Sequence, residues 1–240
     1  MRRSIVAVAV ILAPAALAAQ YNVDRLAGAR FTERVQSEII TQAGASERHR
    51  TVVRSARFVI TTRGDTLVVT TDTVALTESI AGERTAIDVD AVIGARWKLL
   101  LSARGAATII DRPFVPPTVS DVSDIGTAID DFFPPSPPNL ANGAAMTDSA
   151  GRKWRRLSDS AGMQRYRFSA TRRGITRDVG DSVTVESSQD AAENTDLAWD
   201  ALRGPIAWTR SILTTVTTRF AGRTVRAQVD QRINVRRVRS

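Results

Sequence analysis

Residues 206–235 read IAWTRSILTTVTTRFAGRTVRAQVDQRINV, and their alternation decides the fold. Ile206, Trp208, Ile212, Thr214, Val216 and Phe220 occupy even positions beside mostly polar odd neighbours. After Ala221-Gly222 the parity changes. Val225, Ala227, Val229, Ile233 and Val235 are odd, with Arg226, Gln228, Asp230, Arg232 and Asn234 between them. A period of two gives each strand one buried and one wet face, and a glycine between two such runs supplies the reversal. The stretch predicts an antiparallel hairpin with one side on a core.

Shorter runs of the same kind lie upstream. Ala56, Phe58 and Ile60 alternate with Arg57, Val59 and Thr61 before Arg63-Gly64-Asp65 turns the chain into TLVVTTDTVAL. Tyr166, Phe168 and Ala170 alternate with Arg165, Arg167 and Ser169, and DSVTVES follows Gly180 as a further strand. The abundant threonine and valine favour strand, because branched side chains pack well on a pleated surface. Phe31, Val35 and Ile39 fit either a helix face or a strand, and strand is the better reading over 30–40.

Seven of the nine prolines lie between Pro113 and Pro138, where the alternation stops. Proline cannot donate to a sheet ladder, so this segment is a connector. Within it Val122, Ile125, Ile129 and Phe132 recur at spacings of three and four, which predicts a short amphipathic helix capped by Ser120 or Asp121. The halves on either side share a faint pattern, a glycine and then a tryptophan, in GARW at 94–97 and GPIAW at 204–208. The expected fold class is mainly β with minor α: two related antiparallel curved sheets or half-barrels joined by a Pro-rich connector with a short helix. The expected division is 1–18, 19–112, 113–139 and 140–240.

The segment 1–18 has the pattern of a signal peptide. Arg2 and Arg3 precede the apolar run Ile5–Leu12, and Ala16-Leu17-Ala18 offers the small residues a signal peptidase inspects. The run is short for a bilayer-spanning helix, which needs about 20 residues. The reading is an exported, soluble chain, periplasmic or extracellular. There is no cysteine, which excludes disulfides, thiol catalysis and cysteine-bound metal.

The formal charge is +8, and every basic residue except Lys98 and Lys153 is arginine. Residues 152–177 hold nine basic residues and one acid, Asp159. Arg165 and Arg167, on the wet face of one strand, and Arg172 and Arg173, at the turn expected to follow it, are the candidate anion-binding residues, because a guanidinium grips carboxylate or phosphate with two parallel hydrogen bonds. An anionic lipid headgroup or another anionic envelope component is the partner they fit, whereas nucleic acid is not expected of an exported chain. Trp97, Leu99, Trp199, Trp208 and Phe220 are the candidates to line an apolar ligand site, against the plainer reading of the tryptophans as core.

Catalytic patterns are sparse. His49, the lone histidine, sits in SERHRT without an evident orienting partner, and no serine stands in a G-x-S-x-G elbow. Asp88 and Asp90 would share one face of a strand, which leaves a carboxylate-dependent hydrolase as a further alternative. Asp178 and Asp181 flank a turn through Gly180, and Asp130 and Asp131 end the connector helix. Arg63-Gly64-Asp65 is ordinary turn chemistry between two strands. No cofactor and no metal site are expected.

The order of features resembles a family of exported bacterial β-rich proteins known only as a domain of unknown function. A leader precedes a threonine-rich β half with a G…W…G hairpin at Gly94–Gly105; FFPPSP (132–137), GRKWRR (151–156) and the closing GPIAWTRSI (204–212) follow. The resemblance implies an exported β-rich protein and no particular activity. At fold level the chain is also similar to periplasmic lipoprotein carriers, whose half-barrels hold acyl chains. The combined reading is a non-catalytic cell-envelope protein that binds an apolar or amphiphilic ligand or an envelope partner. The alternative is a structural or interaction module without a ligand pocket.

Overall fold

The computed structural model describes residues 20–130, 132–179 and 184–238. The expected signal segment, Asp131 and the Gly180-Asp181 turn lie outside the described residues. The strands are β1 (Arg30–Ala43), β2 (Ser46–Arg63), β3 (Thr66–Ile80), β4 (Glu83–Ile87), β5 (Arg96–Leu101) and β6 (Ala107–Asp111). After one helical turn, α1 (Pro117–Ser120), come β7 (Ala145–Thr147), β8 (Lys153–Ser160), β9 (Met163–Val179), β10 (Thr184–Asp200), β11 (Gly204–Phe220) and β12 (Arg223–Val238). All twelve belong to one open antiparallel sheet in the order β6-β5-β3-β2-β1-β12-β11-β10-β9-β8-β7, with β4 on β3.

The two strand sets expected from the sequence therefore meet edge to edge. β1 pairs with β12 along its whole length, from Arg30 opposite Val238 to Ala43 opposite Val225. Alternation sets the faces. β1 buries Phe31, Glu33, Val35 and Ser37 and exposes the residues between, and β2 buries Val52, Arg54, Ala56, Phe58 and Ile60. The connector lies across this inner face. Phe132 packs on Phe31, Phe58, Phe133 and Trp208 with ring centroids 5.2–5.6 Å apart, all edge-on. Such geometry suits the ring quadrupoles and adds to the apolar area removed from water.

The helix expected over Val122–Phe132 does not form. α1 lies earlier, with Pro117 at its first position, and the chain from 121 to 130 is mostly turns. The cause lies in where the polar groups go. The Gly126 carbonyl accepts from Trp97 Nε1 and Arg112 Nη1, both at 3.1 Å, and Ser123 and Asp124 turn their side chains to Arg54. Polar side chains and glycine favour such local alternatives to a helix. The apolar residues nonetheless face the sheet: Ile125, Ile129 and Phe132 are buried and Val122 half-buried.

The final hairpin turns at Ala221-Gly222, with Phe220 opposite Arg223. Both turn residues have positive φ, 46° and 73°, and Ala81-Gly82 and Ala161-Gly162 repeat the arrangement. That is the two-residue turn whose twist matches the strands, with alanine where asparagine is preferred. Replacing Ala221 with asparagine is expected to stabilise the chain by about 1 kcal/mol, because alanine is strained in the left-handed region. Gly222→Val is expected to destabilise it by about 1–3 kcal/mol. Urea unfolding midpoints of the two variants, moving in opposite directions, check both.

Candidate functional site

Beyond the connector the inner face continues uncovered over β1 and β9–β12. Directly opposed residues of antiparallel strands share a face, so the register lays out rows. One row runs Ile39, Val229, Thr214, Ala191, Arg172 across five strands. The next row towards the tips runs Thr41, Ala227, Val216, Gln189, Gly174. Ile39, Val229, Thr214 and Val216 are half-buried, so this is an apolar platform open to water with an arginine at one edge.

Where the platform meets the connector it deepens. A cavity of about 450 Å³ is bounded by Ala170, Arg172, Ala191, Glu193, Ile212 and Thr214. A second, of about 490 Å³, lies between Phe133, Pro134, Arg104 and the same Arg172, Glu193 and Arg210. Because the two share Arg172, Glu193 and Arg210, they adjoin along the connector's margin.

Two buried ion pairs stand at this margin. Arg210 Nε donates to Glu193 Oε1 at 3.0 Å, Thr195 Oγ1 donates to the same oxygen at 2.8 Å, and an Arg172 nitrogen lies 3.7 Å from Glu193 Oε2. Burial alone would raise the Glu193 pKa, but Arg210, Thr195 and Arg172 outweigh it and hold the carboxyl below its ordinary range. On the far side of β12, Arg54 of β2 donates through Nε to Glu33 Oε2 of β1 at 3.1 Å, while its Nη1 donates to Ser123 Oγ at 2.8 Å and Asp124 Oδ1 at 3.0 Å. Burial opposes the Arg54 charge, yet Glu33 and Asp124 raise its pKa above the ordinary value. Arg54 thus fastens the connector to the sheet.

The residues singled out from sequence are distributed as follows. Trp97 and Leu99 are wholly buried beneath the connector, and Trp199 is wholly buried with its ring 5.1 Å from Tyr21 and edge-on to it. Trp208 is buried against Phe31 and Phe132, and its strand borders cavities on both faces of the sheet. Phe220 is half-exposed at the far end of the platform, opposite Val185.

Among the arginines, Arg172 lies on the inner face and Arg165, Arg167 and Arg173 on the outer one. Arg172 and Arg173 do not sit at a turn, as the sequence suggests; β9 runs on through them, paired to β10. Arg167 grips Asp196 with two hydrogen bonds, of 2.7 and 2.9 Å, and Arg173 lies 3.5 Å from Asp190.

Asp88 is not on a strand beside Asp90. β4 ends at Ile87, and Asp88 Oδ1 accepts from the Asp90 amide at 3.0 Å, where a 3₁₀ turn over Asp90–Val92 begins. His49 lies within β2, exposed, 2.6 Å from Glu47. Among the described residues no cluster of three metal-ligating side chains occurs, and no helix is long and apolar enough to cross a membrane.

Sequence reasoning passed over Glu33, Arg54, Glu193 and Arg210. A signal for three of them was present. Glu33 stands between Phe31 and Val35, Arg54 between Val52 and Ala56, and Arg210 between Trp208 and Ile212, each on the apolar parity of its strand. A charge on the buried parity must find a partner, since an unpaired buried charge is too costly to keep.

No protein-family model matches the chain, and no curated protein matches it in sequence. Among solved structures it is similar to the lipovitellin described for its lipid–protein interactions, with a TM-score of 0.52 at 9% identity. The alignment covers 89% of this chain and 25% of that one, so the chain spans about a quarter of lipovitellin's length. MucB in complex with MucA(peri) aligns over 87% of this chain and 89% of that one at 10% identity; its TM-score of 0.13 is below that of a shared fold. The likeness to lipovitellin is one of fold: a large antiparallel sheet.

Proposed function

We propose that this chain is a non-catalytic binding protein of the cell envelope that holds the apolar part of an amphiphile on the uncovered inner platform. The observation that carries the reading is the row from Ile39 through Val229, Thr214 and Ala191 to Arg172. It offers a water-exposed apolar strip of sheet with a guanidinium at its end and cavities of about 450 and 490 Å³ alongside. Covering such a strip with hydrocarbon is favourable at about 25 cal/mol per Å². The shared fold with lipovitellin, described for its lipid–protein interactions, supports the same direction by analogy. The expected signal segment supports export.

The second reading, an interaction module without a ligand pocket, draws on the close-packed aromatic layer around Phe132. One experiment separates the two. Native mass spectrometry of the chain, with solvent extraction, is expected to show an acyl-chain adduct. Val216→Glu, at a half-exposed platform position, should weaken palmitate binding by about tenfold or more, since a carboxylate among apolar groups must be desolvated. A clean apo mass together with unchanged, weak palmitate binding in both proteins supports the module instead.

A further inference from the structure

We propose that the outer face of the sheet carries a second site, for an acidic glycan segment, in the basin between Arg34, Arg165 and Arg236. A cavity of about 400 Å³ opens there, on the side away from the connector. The register explains its shape. One outer row runs Thr32, Arg236, Ala207, Ala198, Arg165 across β1, β12, β11, β10 and β9, and the next runs Arg34, Asn234, Thr209, Asp196, Arg167. Two alanines therefore make a low floor. Arg34 and Arg236 rise on one side and Arg165 on the other.

Neighbouring strands are about 4.8 Å apart, so Arg236 and Arg165 stand on walls roughly 14 Å apart. The acid in the basin, Asp196, is already gripped through both oxygens by Arg167. Arg34, Arg165 and Arg236 are exposed and have no acidic partner among the described residues.

The polar lining selects the kind of anion. Thr209 Oγ1 bonds Asn234 Oδ1 at 3.0 Å, and these groups with Thr32 present hydroxyl and amide functions suited to sugar hydroxyls. The basin has no exposed aromatic ring, and Trp208 and Tyr166 beneath it are buried facing the other way. A nucleic acid strand would thus find no stacking platform, which such binding ordinarily uses. A short chain of sugars bearing carboxylates or sulfates fits both the charge and the breadth. The site is independent of whatever occupies the inner platform.

The test compares binding of an oligogalacturonate at low salt by the full chain and two triple variants. R34Q/R165Q/R236Q removes the basin charges, and R48Q/R63Q/R223Q removes the same charge from exposed hairpin ends. The basin variant is expected to lose at least about tenfold in affinity, as charge-assisted hydrogen bonds are removed. The control should change by less than about threefold, since it loses only diffuse attraction. The single variant R165Q, on an exposed side chain, should show a partial loss with an unchanged melting temperature. Absence of oligogalacturonate binding by the unaltered chain, equal losses in the two triple variants, or tighter binding of single-stranded DNA of equal charge would each overturn the proposal.

Discussion

Replacing Arg54 with alanine is expected to lower stability by about 3–5 kcal/mol, because it leaves a buried carboxylate without its partner. The Glu33 side chain is 3% exposed and cannot turn to water, whereas that of Asp124, 59% exposed, can. The loss should therefore come mainly from Glu33, and a second change should return most of it. In Arg54→Met combined with Glu33→Met, apolar groups of similar volume fill the space, and buried pairs so replaced are often neutral or better. Urea unfolding followed by tryptophan fluorescence closes the double-mutant cycle. A cost below about 1 kcal/mol for Arg54→Ala alone would mean that Glu33 is not held out of water, since exposed pairs are worth that little. The double variant also loses the bonds to Ser123 and Asp124, so the connector should be released locally even where global stability returns.

Phe132→Ala is expected to cost about 3–5 kcal/mol, the range for removing a buried aromatic ring. The ring is 3% exposed and touches aromatic partners on the connector and on three strands: Phe133, Phe31 on β1, Phe58 on β2 and Trp208 on β11. Its removal opens a void that no single neighbour can fill, since the surrounding rings belong to a paired sheet that cannot collapse inward. Trp208 should gain water contact, seen as a red shift in fluorescence before global unfolding. Phe114, at the start of the same connector, is 78% exposed, and its replacement by alanine should change stability by less than about 0.5 kcal/mol. Equal effects at the two positions would place the connector elsewhere than across the inner face.

Legibility followed physical range. Alternation reports which side of a strand is dry, a property of each residue and its next-but-one neighbours, and burial follows it in β1, β2 and β5. In the 206–235 hairpin only Trp208, Arg210 and Val235 are buried, because most of that inner face lies beyond the connector. The proline cluster announced a break in pairing because proline removes a donor wherever it stands. The helix expected over Val122–Phe132 does not form, because the same apolar spacing is produced equally by a string of turns pressed on a sheet. What decides between them is the set of tertiary bonds to Gly126, Ser123 and Asp124.

The candidate site divides the same way. Arg172 and Arg173 were legible as basic residues, but their opposite faces depend on β9 continuing through them. Glu33, Arg54 and Arg210 were visible as charges on the dry parity, though nothing in a single chain says which acid meets which base.

By itself, then, the sequence determined a mainly antiparallel β protein, its closing hairpin and a proline-rich connector that carries apolar side chains to a core. The tertiary structure alone decided that β1 and β12, at opposite ends of the chain, pair into one twelve-stranded sheet. It also decided that the connector covers only part of the inner face. The reason is that strand edges present the same amide and carbonyl groups whatever the sequence, so backbone pairing carries no local label. The choice of partner is made by the whole set of side chains that the pairing buries, here the aromatic layer that Phe132 completes.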